Sequence, residues 1–446
     1  ICLVIVGEGE AETGPLATSW HSNKFLNPKN DGAVLPILHL NGYKISNPTI
    51  LSRIPKAELK KLLEGYGWKP YFVEGDQPMP MHKKMAKAMD KAIEDIHKIW
   101  KRAREKGEDF SPIYPMIVLR TPKGWTGPKE VDGKQIEGSF RAHQIPIEVK
   151  DEKSLKMLEN WLESYNVNEN FDEKFKLKEE IKEILPKGDK RISACPHTNG
   201  GKLLKDLILP PWQEFAIKTN GHGKVKAQDM KVLGSYIGKV FELNQKNKNY
   251  RVFSPDEAMS NRLYDMFINE KRDFNAQILP TDELLAKDGR IMDSYLSEHM
   301  CEGWLEGYLL TGRHGMFHSY EAFARVIDSM VSQHAKWLKV CRSLPWRAPI
   351  SSLNIVLTSN VWQQDHNGYT HQEPGFLDHI ANKKSEIVRI YLPPDANCLL
   401  SCYDHCQASK NYINVIVASK HPSFQWLSAV EAKTHCAKGV DIWKWA

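Results

Sequence analysis

Apolar runs of strand length recur along this chain, each ended by Gly, Asn or Pro and followed by a segment with helical spacing. This alternation constrains the fold more than any other feature. In the first part it reads LVIVG, a helix over residues 11–23, AVLPILHLNG, a helix near AELKKLLEGYG, PYFVEG, a long amphipathic helix over about 81–106, and PMIVLRTP. Further on come YRVFSP, LNIVLTSN, EIVRIYL and NVIVASK, the last three separated by helices. Strands joined through helices are parallel, so the fold class is α/β with two doubly wound parallel sheets. The opening run, residues 1–6, reads as a buried strand. With 446 residues, 41% of them hydrophobic, the chain has material for more than one core.

Residues 151–190 are charged and helical, and residues 192–234 turn irregular through PHTNGGK, LPPWQ and NGHGK. The expected layout is therefore a first domain over 1–190, a linker over 191–234, a second domain over 235–425, and the start of a further one over 426–446. The first residue is Ile and lies inside an apparent core strand, which suggests a piece of a longer protein.

The net charge of +6 comes from 61 basic and 55 acidic residues, too mild to imply a nucleic-acid partner. The basic residues of the long helix, Lys83 to Arg102, alternate with Ala86, Met89, Ile93, Ile96 and Ile99, which reads as a solvated face over an apolar one. No apolar run is long enough to span a membrane. Eight cysteines in a chain this large read as reduced thiols of a cytoplasmic protein. Cys398, Cys402 and Cys406, four apart, line one helix face with Leu399 and read as core rather than a metal site.

Chemistry-bearing residues gather where strands end. VGEGEAETG puts Glu8 at the end of the first strand, and AVLPILHLNGY puts Asn41 at the end of the next. Ligands of doubly wound sheets sit beyond these carboxyl ends, and two hard oxygens there suit Mg²⁺ with a diphosphate. The spacing is neither that of a dinucleotide fold nor of a P-loop. A long loop over 119–147 carries Lys123 and His143, suited to anion binding and proton transfer. FSPDEAMSNRL places Glu257, Ser260 and Arg262 within six positions, where hydroxyl and guanidinium suit a phosphate. NVWQQDHNGYTHQEPGF places Gln364, His366, Asn367 and His371 after a strand; two histidines five apart share no helix face, so acid–base or substrate contacts fit better than a metal pair.

Taken together, VGEGEAETGPLATSW, LHLNGYKI, LRTPKGWTGPK, FRAHQIP, FSPDEAMSNRL, LSEHMCEGWLEGYLLTGRHG and TSNVWQQDHNGYTHQEPGF resemble the phosphoketolases, thiamine-diphosphate enzymes of sugar-phosphate cleavage. The resemblance runs the length of the chain and looks like the middle of such a protein. It implies a transketolase-like fold. It places Mg²⁺ on Glu8, Asn41 and the main-chain oxygen of Tyr43, with Gly7, Gly9 and Glu10 beside the cofactor. The family's usual aspartate at the first of these is Glu8 here, one methylene longer.

Glu298 matches the glutamate that hydrogen-bonds the aminopyrimidine ring and activates the cofactor. Lys123, Ser260, Arg262, Tyr320, Gln364, His366, Asn367 and, with less to support it, Lys420 fall on substrate and phosphate contacts. His143 and His371 are implied as catalytic in the dehydration step. The implied reaction cleaves xylulose 5-phosphate or fructose 6-phosphate with inorganic phosphate, giving acetyl phosphate plus glyceraldehyde 3-phosphate or erythrose 4-phosphate. A homodimer with active sites at the interface is implied, without nucleic acid or membrane. Transketolase-like two-carbon transfer and a non-catalytic family member stay open as alternatives.

Overall fold

The computed structural model describes residues 1–144, 146–358, 373 and 375–446. The chain divides into two compact units, Ile1–Pro186 and Lys187–Ala446.

The first unit is built on a four-stranded parallel sheet in the order Cys2–Gly7, Val34–Leu40, Tyr114–Arg120, Trp68–Glu74. The inner strands are apolar along most of their length, as strands covered on both faces must be, with His39 and Arg120 only near their carboxyl ends. Leu35, Leu38, Leu40, Met116 and Val118 pack with Leu59 and Leu63 of the helix Lys56–Gly65 and with Ala92 and Ile96 of the helix Pro78–Arg104. The long helix begins with Pro in its first turn and ends with Lys101, Arg102 and Arg104 in its last, which complements its dipole. Its buried stripe runs through Met81, Ala88, Ala92, Ile96 and Ile99, with the lysines in solvent. Ala86 of the expected stripe is exposed.

Two expectations fail here. The segment 11–23 is not one helix but Glu8–Ala11, Gly14–Ser19 and a 3-10 turn Ser22–Phe25. Gly14 adopts φ +58°, and Pro15 offers no N–H to continue the ladder. The opening strand is not buried either. It forms a sheet edge, with Leu3, Val4 and Ile5 exposed, Ile5 at 69%.

The second unit holds an eight-stranded parallel sheet in the order Leu285–Ala286, Arg272–Asp273, Ile291–Met292, Tyr250–Phe253, His314–Tyr320, Leu353–Thr358, Ile413–Ala418, Val388–Tyr391. Its core joins Met230, Leu233, Tyr236, Ile237 and Val240 of the helix Asp229–Leu243 to Leu399, Leu400 and Tyr403 of the helix Ala396–Ala408. Cys398 and Cys406 are buried in that core as expected, Cys402 is half-buried, and all eight cysteines are free. The strand His314–Tyr320 lies inside the sheet although it carries two histidines and a serine. His314 bonds Ser351 Oγ and the Lys205 carbonyl, and His318 bonds Asn261, so each buried imidazole has a partner. Among the described residues no helix is long and apolar enough to cross a membrane.

Candidate active site

In the second unit the strands Tyr250–Phe253, His314–Tyr320, Leu353–Thr358 and Ile413–Ala418 run parallel and adjacent, so their carboxyl ends share one edge of the sheet. The loop after Phe253 carries Glu257, Ser260 and Arg262 to that edge. Tyr320 ends the second strand and Lys420 follows the fourth. The Tyr320 hydroxyl donates to Ser260 Oγ at 2.5 Å, and the Tyr320 amide donates to Glu257 Oε2 at 2.9 Å. The Lys420 ammonium lies 3.9 Å from the centroid of the Tyr320 ring. Arg262 adopts φ +65°, a conformation that favours glycine. Its buried Nε has no hydrogen-bond partner among the described residues. A positive φ and a buried guanidinium nitrogen with no partner among the described residues make Arg262 a candidate functional group.

The electrostatics of this cluster are unusual. Burial pushes Glu257 up to about 8, with the nearby charge of Glu298 adding to it against the donors Tyr320, Ser319 and Asn261. Burial draws Lys420 down to about 8, with Arg262 adding and Glu257 opposing. Near neutral pH the acid is thus largely protonated, and the pocket presents donors and cations to an anion. Beneath lies a fully buried layer: Thr358 Oγ1 donates to Asn261 Oδ1, and Asn261 Nδ2 is 3.1 Å from His318 Nδ1. Burial takes His318 down to about 3, so it is neutral.

Glu298 opens the helix Glu298–Leu310, half-buried, behind Ser297, whose hydroxyl accepts the Met300 amide. An acid in a first helical turn sits favourably on the dipole. Glu302 and Glu306 follow it at helical spacing. Glu302 is fully buried, and burial raises both carboxyls.

In the first unit, Glu8 is 1% exposed. Its Oε1 accepts the amides of Asn41 at 2.8 Å and Gly42 at 2.6 Å, and the Thr49 hydroxyl at 3.4 Å. Asn41 Oδ1 accepts the Tyr43 amide at 3.1 Å. Lys123, also buried, donates to the carbonyls of Tyr43 at 3.1 Å and Lys44 at 2.9 Å. The Glu8 carboxylate is thus braced against the turn that carries Asn41 and Tyr43, and the Asn41 amide and Tyr43 carbonyl oxygens each keep a second lone pair. An all-oxygen set with one carboxylate fits a hard divalent cation. Among the described residues there is no group of three His, Cys, Asp or Glu that could hold a metal, so any metal here depends on amide and carbonyl oxygens. A Cβ on Gly7 would stand 2.5 Å from Glu10 Oε2 and one on Gly9 3.3 Å from Lys44 Cγ, so a larger residue at either would displace one of these side chains.

The structure therefore brings Ser260, Arg262, Tyr320 and Lys420 together in one unit and Glu8, Asn41, Tyr43 and Lys123 in the other. His143 is exposed on the 3-10 turn Phe140–His143. Gln364, His366, Asn367 and His371 lie outside the described residues. Glu257 stands out in FSPDEAMSNRL but its hub position does not, and the supporting layer of Asn261 and His318 is signalled only by that motif and by a His within an otherwise strand-like run.

Comparison with known proteins places this geometry in context. Residues 1–203 match the family described as the XFP N-terminal domain, and residues 231–409 match that of D-xylulose 5-phosphate/D-fructose 6-phosphate phosphoketolase. The chain is 59% identical over 449 residues to a probable phosphoketolase of Clostridium acetobutylicum and 57% identical over 448 residues to one of Rhodopirellula baltica. Each alignment covers 100% of this chain and 56% of the relative, so the chain spans about half the length of the curated relatives it matches. Among solved structures it resembles a transketolase mutant of Pichia stipitis, with TM-score 0.60 and 14% identity over 96% of this chain and 58% of that one. A transketolase of Campylobacter jejuni gives 0.58 and 15% over 95% and 56%. At these identities the likeness is one of fold, a transketolase-like α/β architecture.

Proposed function

The chain belongs to the phosphoketolase family, and we propose that its protein is a thiamine-diphosphate-dependent phosphoketolase. The proposed reaction cleaves xylulose 5-phosphate or fructose 6-phosphate with inorganic phosphate, yielding acetyl phosphate and the shortened aldose phosphate. The single observation that carries this reading is the cluster of Ser260, Arg262, Tyr320 and Lys420 at adjacent strand ends, a set of hydroxyls and cations around a carboxyl that is largely neutral at pH 7.

Each residue has a physical part. Arg262 and Lys420 supply charge for a phosphate, and Ser260 and Tyr320 supply hydroxyl donors that fix its orientation. Glu257 anchors the Tyr320 main chain and, while protonated, does not repel the anion. Glu298 holds a proton at the aminopyrimidine. Glu8, Asn41 and the Tyr43 carbonyl would hold Mg²⁺, with Lys123 bracing their turn, and Gly7, Gly9 and Glu10 would line the diphosphate. Thiamine diphosphate, when bound, supplies the electron sink for carbon–carbon cleavage. His143 and His371 move protons as water is lost, and Gln364, His366 and Asn367 contact the sugar. The protein is proposed to be a homodimer with its active sites at the interface, working in the cytoplasm.

The test is hydroxamate detection of acetyl phosphate from xylulose 5-phosphate with thiamine diphosphate, Mg²⁺ and phosphate, omitting each in turn. Product is expected only in the complete mixture. Turnover that persists without phosphate and needs an aldose acceptor would replace this reading with transketolase-like transfer, and absence of any turnover would favour the non-catalytic one.

A further inference from the structure

The helices Ala396–Ala408 and Ala429–Lys438 pack against each other, and three thiols meet where they do. Cys402 Sγ lies 3.9 Å from Cys436 Sγ, and the Cys436 thiol is 3.8 Å from the Cys398 carbonyl oxygen. Cys398 and Cys406 are fully buried, whereas Cys402 and Cys436 are half-buried. Contact with the Cys398 and Cys402 thiols lowers the pKa of Cys436, with Ser401 and His435 contributing, while contact with Cys436 and burial raise that of Cys402. Two half-buried thiols facing each other across a helix pair are placed for oxidation, as core cysteines packed singly are not.

We propose that Cys402 and Cys436 form a reversible disulfide driven by peroxide, tying the helix Ala396–Ala408 to the helix Ala429–Lys438. The Cys436 thiolate attacks a peroxide oxygen, the O–O bond breaks, and the departing hydroxide takes a proton to become water. Cys402 then attacks the sulfenic sulfur; the S–S bond forms, the S–O bond breaks, and the hydroxyl leaves as water with the Cys402 proton. Two thiols and one hydrogen peroxide give one disulfide and two waters. The closed loop contains the strand Ile413–Ala418 and Lys420, so oxidation would restrain the strand end that carries this lysine. The proposal does not depend on the catalytic reading.

The folded chain is treated with hydrogen peroxide, alkylated and digested with trypsin without reduction. A peptide over residues 390–410 linked to one over 434–438, two hydrogen masses short of their sum, is expected, with fragment ions placing the bond on Cys402. Dithiothreitol should release it. In Cys402→Ala the link should vanish and Cys436 should instead accumulate sulfenic acid that dimedone traps. No linked peptide from the folded chain, or an undiminished link to residues 390–410 in Cys402→Ala, would overturn the proposal.

Discussion

Glu8 illustrates what one residue decides. Its Oε1 is held by two main-chain amides and a hydroxyl, so its position is fixed before any cation arrives. Glu8→Gln keeps an oxygen for those amides but removes the charge. Half-saturation by Mg²⁺ should rise about tenfold or more, a loss of electrostatic attraction in a poorly hydrated site; an unchanged Mg²⁺ titration would remove Glu8 from the cation site. Glu298→Gln isolates proton transfer in the same way. The position is half-buried at a helix start, so folding should change by less than about 1 kcal/mol. Acetyl phosphate formation should fall by about 10² or more. A variant with near-normal turnover would show that another group handles the proton. Arg262 and Ser260 were legible because they stand two apart in the chain. Their meeting with Tyr320 and Lys420 is implied only by the family resemblance, because it depends on which parallel strands become neighbours, and no local pattern encodes that order.

At the scale of elements, periodicity was informative where one physical term dominated. The helix Pro78–Arg104 was legible because its apolar stripe repeats at helical spacing over many turns. The segment 11–23 misled because apolar spacing continues across Gly14-Pro15, where backbone geometry stops the helix. The strand His314–Tyr320 escaped because its polar side chains find partners only in the folded sheet. The helix Ala396–Ala408 depends on another such long-range arrangement. Asp395 is fully buried and caps it: Oδ1 accepts the Cys398 amide at 2.8 Å, while Oδ2 accepts the amides of Trp426 at 3.1 Å and Leu427 at 2.8 Å. Asp395→Ala strands these three amides, and a loss of about 3 kcal/mol is expected, more than a helix cap alone gives. Denaturant unfolding monitored by circular dichroism measures it; a loss below about 1 kcal/mol would mean that water replaces the carboxylate.

For the whole molecule, the buried ionisable groups set how stability responds to pH. Burial lowers His318 to about 3 and His334 to about 4, and also lowers His314 and His39. In these the unfolded chain binds more protons than the folded one, so stability rises with pH until the unfolded histidines have titrated near 6.5. The acids act oppositely. Burial raises Glu257 to about 8 and Asp229 and Glu306 to about 7, so the folded chain holds protons that the unfolded chain has already released. Their contribution is complete below the unfolded carboxyl range and is lost as pH rises through 7 and 8. From pH 6.5 to 8 the histidine contribution fades as the unfolded imidazoles lose their last protons, which leaves the acids to set the slope. Each acid contributes at most about 1.4 kcal/mol per pH unit. Lys420, lowered to about 8, opposes the trend above that pH, because there the unfolded chain carries the extra proton. The melting temperature should therefore decline from pH 6.5 to 8 and level beyond. Glu257→Gln, which cannot ionise, should decline less steeply over the upper half of that window. Parallel profiles for the two proteins would mean that Glu257 is already ionised at pH 6.5, held so by Arg262 and Lys420, and the anion-binding pocket would then be less cationic than its geometry implies.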